Sequence, residues 1–323
     1  MEALANLEII IMSHERPEFL QRALAALEMV DFGSRPKITI SDNPSKISSR
    51  VPREIIRNYN YVLRDGLGAT SHLNKIISEV KSEWTLITHD DDEILPQLGD
   101  LFREYSSNPK IGMITGRSLI IDSTGNQIIS NAYESRLRKS NLNNSHSHIK
   151  SDVFWHLFDL GSLFPASAMI IRREVYQEIQ EVNLDVNLAS DYSLSLKIAK
   201  NHNIVFEGIN PVMKYWLHGK NSVYSNEAMS SLKSELTIAR LVELANSDFK
   251  LSLKRNLALS KQILESTILL NTYGEYEKIS ILNRYILTYE ELKGKLAFSR
   301  TFEIKNQLFS RIVKFEMQRR LKK

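Results

Sequence analysis

The segment from Trp84 to Glu93 holds the strongest chemical signal in the sequence. An apolar, strand-like run ends there at three consecutive aspartates, Asp90, Asp91 and Asp92. Adjacent carboxylates repel one another, so this ending is favourable only near positive charge. Hard cations such as Mg²⁺ and Mn²⁺ take oxygen ligands, often one or two carboxylates together with substrate phosphates. The triplet therefore predicts a divalent metal site, and its alternative is a solvated acidic turn before the next helix.

Strand-like and helix-like segments alternate around this site. Such alternation is typical of an α/β protein with a mainly parallel sheet flanked by helices. Ligands of these sheets bind beyond the carboxyl ends of the strands, which is where the aspartates lie. The apolar runs predict strands at 7–12, 37–41, 55–63 and 84–89, and helical spacing predicts helices at 17–27, at 70–80 and from residue 96.

The second half of the chain changes character twice. Residues 111–129 predict a hairpin around a turn at 122–126, and the polar segment 135–151 is predicted to be a mobile loop. After residue 225, glycine and proline nearly vanish and apolar residues recur at helical spacing. We therefore predict two domains, a catalytic α/β domain (1–225) and a helical C-terminal region with a basic tail (226–323). Between them we expect strands at 166–171, 204–206 and 212–217, and helices at 173–181 and 189–201.

Composition excludes several classes of protein. The 323 residues are 42% hydrophobic and 25% charged, and the net charge of +4 is too mild and mixed to predict a nucleic-acid partner. The absence of cysteine excludes disulfide and thiolate chemistry and suits a reducing compartment. Neither a membrane-spanning run nor a signal peptide is visible, so a cytoplasmic location is expected. The basic tail, Arg311–Lys323, predicts either peripheral contact with an anionic membrane surface or a solvated helix face.

Several separated segments together resemble one family, the family 2 glycosyltransferases, whose catalytic domain has the nucleotide-sugar-binding GT-A fold. The resemblance covers about residues 7–222. It rests on five segments: the opening "R-P-x-x-L" segment (Ile9–Leu20), the "D-D/N-x-S" turn (Ser41–Ser45), the D-x-D motif (Asp90–Asp92), the region of the catalytic Asp (Ala189–Leu194) and the closing "Y-R-x-H…N-S" segment (Tyr215–His218 with Asn221-Ser222).

The resemblance implies a role for each matching residue. Asp92 would bind Mn²⁺ or Mg²⁺, and His218 would be a further metal ligand or a diphosphate contact. Asp191 would be the general base, although Ser190 stands where the family usually has an acidic residue. Asp42 would accept a hydrogen bond from a pyrimidine base, which a carboxylate can do and which points to a UDP- or dTDP-type donor. The predicted nucleotide- and donor-binding residues are Ser13, His14, Arg16, Asp42, Arg64, Asp90 and Asp91.

The expected function is a metal-dependent, inverting transfer of a sugar from a nucleotide-sugar donor to a hydroxyl of a saccharide acceptor. Similar proteins build bacterial surface polysaccharides such as O-antigen or capsule, often on lipid-linked acceptors. The C-terminal helices would then contact the inner face of the membrane or form a homo-oligomer. Three aromatic residues, Trp155, Phe158 and Phe164, are candidates for stacking on an acceptor sugar, whereas His72 and His89 receive no role.

Three other readings compete with this one. A GT-A-like scaffold that has lost activity would keep the fold, but the complete set of aspartates argues against it. The His89-Asp90 pair suggests a metal-dependent phosphohydrolase, yet further His and Asp ligands at helical spacing are lacking. A nicotinamide-dependent oxidoreductase is not indicated, because no G-x-G-x-x-G follows the first strand.

Overall fold

A computed structural model describes residues 6–46, 50–143, 148–150, 153–218, 226–247 and 251–293. The strands are β1 (Leu7–Ser13), β2 (Lys37–Asp42), β3 (Asn60–Leu63), β4 (Trp84–His89), β5 (Glu93–Ile94), β6 (Ile111–Gly116), β7 (Ser118–Ile121), β8 (His148–Lys150), β9 (Met169–Arg172), β10 (Asn203–Glu207) and β11 (Met213–Trp216). The α-helices are α1 (Pro17–Glu28), α2 (Arg53–Ile56), α3 (Ala69–Glu79), α4 (Pro96–Tyr105), α5 (Asn131–Lys139), α6 (Phe154–Leu160), α7 (Arg173–Ile179), α8 (Ser190–Asn201), α9 (Asn226–Ala245), α10 (Leu253–Tyr273) and α11 (Tyr276–Lys293).

Two sheets organise the α/β part of the chain. The larger sheet has the strand order β3-β2-β1-β4-β9-β6-β10-β8, and the smaller one has the order β5-β11-β7. Strands β3, β2, β1 and β4 are mutually parallel, and β9 runs antiparallel to both β4 and β6. The predicted mixed, mainly parallel sheet is thus confirmed, and it has the GT-A-type arrangement of strands flanked by helices.

The apolar runs form strands because both faces of the large sheet are covered. Nearly every residue of β1 and β4 is buried, as expected for central parallel strands. Trp84 anchors the core below the site: its ring is fully buried, meets Phe102 edge to face, and donates its indole N–H to the carbonyl of Ser106 (3.3 Å). Such packing makes the sheet a rigid platform for the loops at its edge.

The strand register brings the predicted site residues to one edge. Ser13 pairs with Asp42 across β1 and β2, and Met12 pairs with His89 across β1 and β4. The backbone N–H of Asp90 extends this pairing by donating to the carbonyl of Met12 (3.1 Å). Because these strands are parallel, their carboxyl ends, and the loops that follow them, lie side by side.

The small sheet brings a later part of the chain to the same site. Lys214 of β11 pairs with Glu93 of β5 in register, and its ammonium group lies 2.9 Å from the Glu93 carboxylate. This pairing places the segment that ends at His218 beside the aspartate triplet. The sequence does not show this contact, because more than a hundred residues separate the partners.

Some predicted elements differ from the structure. The segment 135–151, predicted to be a mobile loop, begins inside α5 and also contains β8. Helix α5 forms because Ser130 caps its first turn by accepting from Tyr133 N–H, while Tyr133 and Leu137 supply a buried face. The strand predicted to lie within 55–63 is β3, at the end of that segment, and Arg53–Ile56 forms the short helix α2 before it. The predicted turn at 122–126 is present and is closed by hydrogen bonds from Asp122 N–H to the Asn126 carbonyl (2.9 Å) and from Ile128 N–H to the Ile120 carbonyl (2.8 Å). The hairpin is short, with one antiparallel bridge between Ile121 and Gln127, and β7 also pairs with β11.

The chain divides into two compact units, residues 1–239 and residues 240–323, with the division inside α9. The predicted boundary at 225 and 226 stays a prediction. In the second unit, α10 begins at a side-chain cap from Ser252 and ends at Gly274, whose left-handed backbone (φ 72°) terminates the helix. None of the described helices is long and apolar enough to cross a membrane. The basic tail lies outside the described residues, as do Asn221 and Ser222.

Candidate active site

A cavity of about 880 Å³ opens at the carboxyl edge of the large sheet. This volume is within the range of sites that hold small molecules and cofactors. The sequence-predicted residues that line it are Ser13, His14, Arg16, Asp91, Asp92 and Asp191. Residues far apart in sequence therefore meet in one concave site, as the resemblance implied.

The loop between β1 and α1 is held in an unusual backbone conformation. Glu15 has a positive φ of 58°, which is uncommon for a residue other than glycine. Its carboxylate compensates by accepting a hydrogen bond from the backbone N–H of Ser45 (2.8 Å) and another from the Ser45 hydroxyl. This contact ties the β1 loop to the β2 loop and directs His14 and Arg16 toward the aspartates.

His14 links the same two loops. Its backbone N–H donates to Asp90 (2.9 Å), and its Nδ1 lies 2.6 Å from the carbonyl oxygen of Asn43. Because a carbonyl only accepts, Nδ1 carries the proton in this contact. Asn43 is itself held by a pair of hydrogen bonds with the backbone of Leu67, and both residues line the cavity.

Asp90 is fully buried and carries its charge beside Arg16. The guanidinium lies 2.6 Å from one Asp90 oxygen and also forms an ion pair with Asp91. Burial raises the pKa of Asp90 to about 6, while the charge of Arg16 opposes that rise. Asp90 is therefore a structural anchor for the loop.

Asp91 is held from two directions. Besides the ion pair with Arg16, its carboxylate lies 2.9 Å from Nε2 of His218. The His218 ring stacks on Phe19, with 4.5 Å between the ring centroids. His218 thus contacts Asp91, and its role as a metal ligand or diphosphate contact stays a prediction.

Asp92 is supported by a residue that sequence reasoning missed. The hydroxyl of Ser167, in a 3-10 turn at Ala166–Ala168, donates to Asp92 (2.5 Å) and accepts from the backbone N–H of His89 (3.1 Å). Burial raises the pKa of Asp92 well above its usual range, and the neighbouring charge of Asp91 raises it further. A single serine gives no sequence signal, since only the pairing of β4 with β9 brings it to this place.

Three residues form a group that fits a divalent metal ion. One ligand atom each from His89, Asp91 and Asp92 can be chosen so that all lie within 4.8 Å of one another. Two carboxylates and one imidazole form a donor set that Mn²⁺ accepts readily. His89, which received no role from the sequence, belongs to this group, whereas the group found among the described residues does not contain His218.

Three predicted donor-binding residues, Asp42, Arg64 and Asp90, do not line the cavity. Asp42 is fully buried; one carboxylate oxygen accepts from Tyr61 (2.7 Å) and from the backbone N–H of Val51 (3.1 Å), and the other has no hydrogen-bond partner among the described residues. Arg64 forms an ion pair with Glu79 of α3. The donor contacts expected of Asp42 and Arg64 therefore stay predictions.

Asp191 lies in the first turn of α8 and lines the cavity. Burial raises its pKa above the usual range of an aspartate. A carboxylate with a raised pKa is a stronger base, which suits proton transfer near neutral pH.

The loop that carries Asp191 is anchored by a second residue that the sequence did not reveal. Glu235 of α9 is buried, and one of its oxygens accepts from the backbone N–H groups of Leu188 (2.5 Å) and Ala189 (3.1 Å). Both N–H groups lie just before α8, so no preceding helical turn offers carbonyl groups that could accept from them. No sequence signal identifies it, because the burial of this glutamate, on a helix predicted to be outside the catalytic domain, is visible only in the structure.

Of the three aromatic candidates, Phe164 lines the cavity. Trp155 and Phe158 instead pack against each other and against Phe154. Phe164 also contacts Phe206 in the core. These aromatic side chains therefore serve mostly in packing.

Comparison with known proteins agrees with this geometry. The sequence pattern of glycosyl transferase family 2 matches residues 8–179, more than half of the chain. The chain belongs to this family and is a glycosyltransferase with a GT-A-type fold, so the scaffold and phosphohydrolase readings give way to it. A comparison with curated protein sequences finds no match.

Many solved structures resemble the fold, and two of them illustrate the similarity. TarS 1–349 of S. aureus in complex with UDP-GlcNAc has a TM-score of 0.61 at 12% identity, over 93% of this chain and 89% of that one. The mannosyltransferase PcManGT from Pyrobaculum calidifontis, in complex with GDP-Man and Mn²⁺, has a TM-score of 0.53 at 11% identity, over 95% and 81% of the two chains. At such identities the similarity concerns the fold.

His72 generates a prediction for stability against pH. It is buried, its Nε2 lies 2.7 Å from the Ser41 hydroxyl, and burial lowers its pKa from 6.5 to about 4. The unfolded chain then binds a proton near pH 6.5 that the folded chain binds only near pH 4. This group should therefore lower the free energy of unfolding by roughly 2 to 4 kcal/mol as the pH falls from 6.5 to 4.

The variant His72→Gln isolates this contribution, because glutamine can keep the bond to Ser41 without titrating. Urea unfolding at pH 7 and pH 4.5 should show a smaller loss of stability in the variant than in the wild type. Equal losses in the two proteins would contradict the assignment.

Glu235 generates a prediction for the loop that carries Asp191. Glu235→Ala leaves two buried N–H groups without their acceptor and should lower the free energy of unfolding by about 2 kcal/mol or more, whereas Glu235→Gln should cost less. Amide hydrogen exchange at Leu188 and Ala189 should accelerate. Lys233→Ala, on the exposed side of the same helix, is the control; if Glu235→Ala matched it in both measurements, the anchoring role would be wrong.

Proposed function

We propose that this chain is a metal-dependent, inverting glycosyltransferase that moves a sugar from a UDP- or dTDP-type donor to a hydroxyl of a saccharide acceptor. The observation that carries this proposal is the meeting of Asp92, its metal-capable neighbours and Asp191 in one cavity. The complexes of similar folds with UDP-GlcNAc, and with GDP-Man and Mn²⁺, support a nucleotide-sugar donor and a divalent cation.

Donor binding is assigned to the β1, β2 and α3 side of the cavity. His14 and Asn43 present a linked polar wall, and Arg16 brings positive charge to its end. The Asp42 oxygen that has no hydrogen-bond partner among the described residues is the acceptor proposed for the N3–H of a pyrimidine base, and Tyr61 donates to the other oxygen. A base that reaches this oxygen would replace a lost hydrogen bond at a buried acceptor, which is favourable.

His89, Asp91 and Asp92 fit a divalent cation and are its proposed ligands. A cation there supplies Lewis-acid stabilisation of the negative charge that develops on the departing nucleotide diphosphate. His218 and Arg16 orient Asp91 from two sides, so the carboxylate is preorganised. Mn²⁺ and Mg²⁺ are the proposed ions, and the imidazole ligand favours Mn²⁺ over Mg²⁺.

Asp191 is the proposed general base. As the acceptor oxygen forms its bond to the anomeric carbon, the bond from that carbon to the diphosphate oxygen breaks, and the hydroxyl proton passes to Asp191. One base on the attacking side and one displacement invert the configuration of the sugar. The anchoring of the preceding loop by Glu235 holds this carboxylate in place.

The setting proposed for this reaction is the synthesis of a bacterial surface polysaccharide in the cytoplasm, on a free or lipid-linked acceptor. Contact of the basic tail with the inner face of the membrane, or self-association through the C-terminal helices, belongs to the same proposal. Deletion of residues 311–323 followed by co-sedimentation with anionic vesicles tests the membrane contact, which the deletion should abolish if the tail makes it.

Calorimetric titration with UDP, dTDP, GDP, CDP and ADP tests the donor and metal sites together. We expect UDP or dTDP to bind in the presence of Mn²⁺ or Mg²⁺ and to lose at least about tenfold in affinity without the ion or in Asp92→Asn. Asp100→Asn, an exposed aspartate on α4, should bind like the wild type. Equal binding by Asp92→Asn and wild type, or no binding of any nucleotide, would contradict the proposed site.

Asp191→Asn separates catalysis from binding. We expect nucleotide affinity to stay within about twofold of the wild type, while sugar transfer falls by roughly 10²- to 10⁴-fold, the usual contribution of a general base. Transfer is followed as release of the nucleoside diphosphate with the donor that the titrations select. Full activity in Asp191→Asn would show that another group removes the proton.

A further inference from the structure

Two arginines line the cavity, and they differ in their partners. Arg16 is paired with Asp90 and Asp91. Arg136 of α5 has no carboxylate partner among the described residues, and its buried Nε has no hydrogen-bond partner there. A guanidinium beside a cavity without such a partner is a site for a negatively charged group from outside the protein.

The position of Arg136 on its helix is specific. Tyr133, Leu137 and Ser140 form the buried face of α5, and Arg136 lies beside Tyr133 on the cavity side of that helix. The neighbouring Arg138 and Lys139 are exposed instead. The partial burial of Arg136 also lowers its pKa, with Tyr133 acting in the opposite direction, which means that its charge is incompletely solvated.

The surroundings place this guanidinium on a wall that is built from elements other than the proposed nucleotide loops. The hydroxyl of Tyr133 lies 3.4 Å from the carbonyl of Leu163 and accepts from the backbone N–H of Ser118 (3.3 Å). Leu163 belongs to the cavity-lining segment 162–166, which leads directly into the turn of Ser167 that holds Asp92. The α5 wall therefore borders the reaction centre through elements that the nucleotide loops do not share.

We propose that Arg136 forms a subsite for a negatively charged group, a phosphate or a carboxylate, on the saccharide acceptor. This inference rests on the proposed function, because the acceptor must lie beside the reacting donor. A guanidinium binds either anion with two parallel hydrogen bonds, so the shared chemistry is a planar, bidentate contact. The acceptor would thus be selected by charge as well as by shape.

The test compares charged and neutral sugars as probes on the full-length protein. Saturation-transfer NMR measures the dissociation constants of glucose 6-phosphate, glucuronate and glucose, with and without saturating Mn²⁺ and the best-binding nucleotide. In the wild type and in Arg138→Gln, at least one charged sugar should bind roughly tenfold more tightly than glucose, and the tighter of the two identifies phosphate or carboxylate. Arg136→Gln should lose this preference, and Arg136→Lys should keep part of it.

Several results would overturn the subsite. They are an absence of charge preference in the wild type, a preference that survives Arg136→Gln, and a preference that disappears when the nucleotide is bound, which would assign Arg136 to the donor diphosphate. Circular dichroism of Arg136→Gln confirms that the variant is folded. If no nucleotide binds but the charge preference follows Arg136, the proposed transferase function fails while the anion site stands.

Discussion

The burial of three successive carboxylates at the carboxyl end of β4 is the constraint on which the rest of this site depends. Taking a charge out of water costs several kcal/mol unless a partner compensates it. Each aspartate has a different compensation: Arg16 and a backbone N–H for Asp90, Arg16 and His218 for Asp91, and the Ser167 hydroxyl for Asp92. The β1–α1 loop, the small sheet and the 3-10 turn must therefore all be in place before the triplet is stable.

Different surroundings give adjacent residues of one type different chemistry. Asp90 is neutralised by a guanidinium, and its pKa of about 6 reflects burial that this ion pair only partly offsets. Asp92 has a neutral hydroxyl as its partner, so burial and the charge of Asp91 raise its pKa further. An additional cation would stabilise Asp92 more than Asp90, which agrees with the division between anchor and proposed metal ligand.

The cavity joins two walls that come from different parts of the chain. One wall, from β1, β2 and α3, is tightly bonded within itself through His14, Asn43 and Glu15. The other, from α5 and the segment 162–166, presents Arg136, Ser162 and Phe164. If the first wall binds the donor and the second the acceptor, as proposed, the fold can keep its chemistry and change its substrate by changing the second wall.

The sequence by itself determined the alternation of strands and helices, the position of the aspartate triplet and the family, because each depends on local spacing or on short motifs. It also placed Asp191 correctly in the first turn of a helix. Only the tertiary structure decided the pairing of β11 with β5, the contacts of Ser167 and Glu235, and the inclusion of His89 with the aspartates. These features depend on contacts between residues that are distant in sequence, where a single serine or glutamate carries no local pattern. For the same reason a polar segment that suggested a loop became α5, since its buried face exists only when the rest of the sheet is present to cover it.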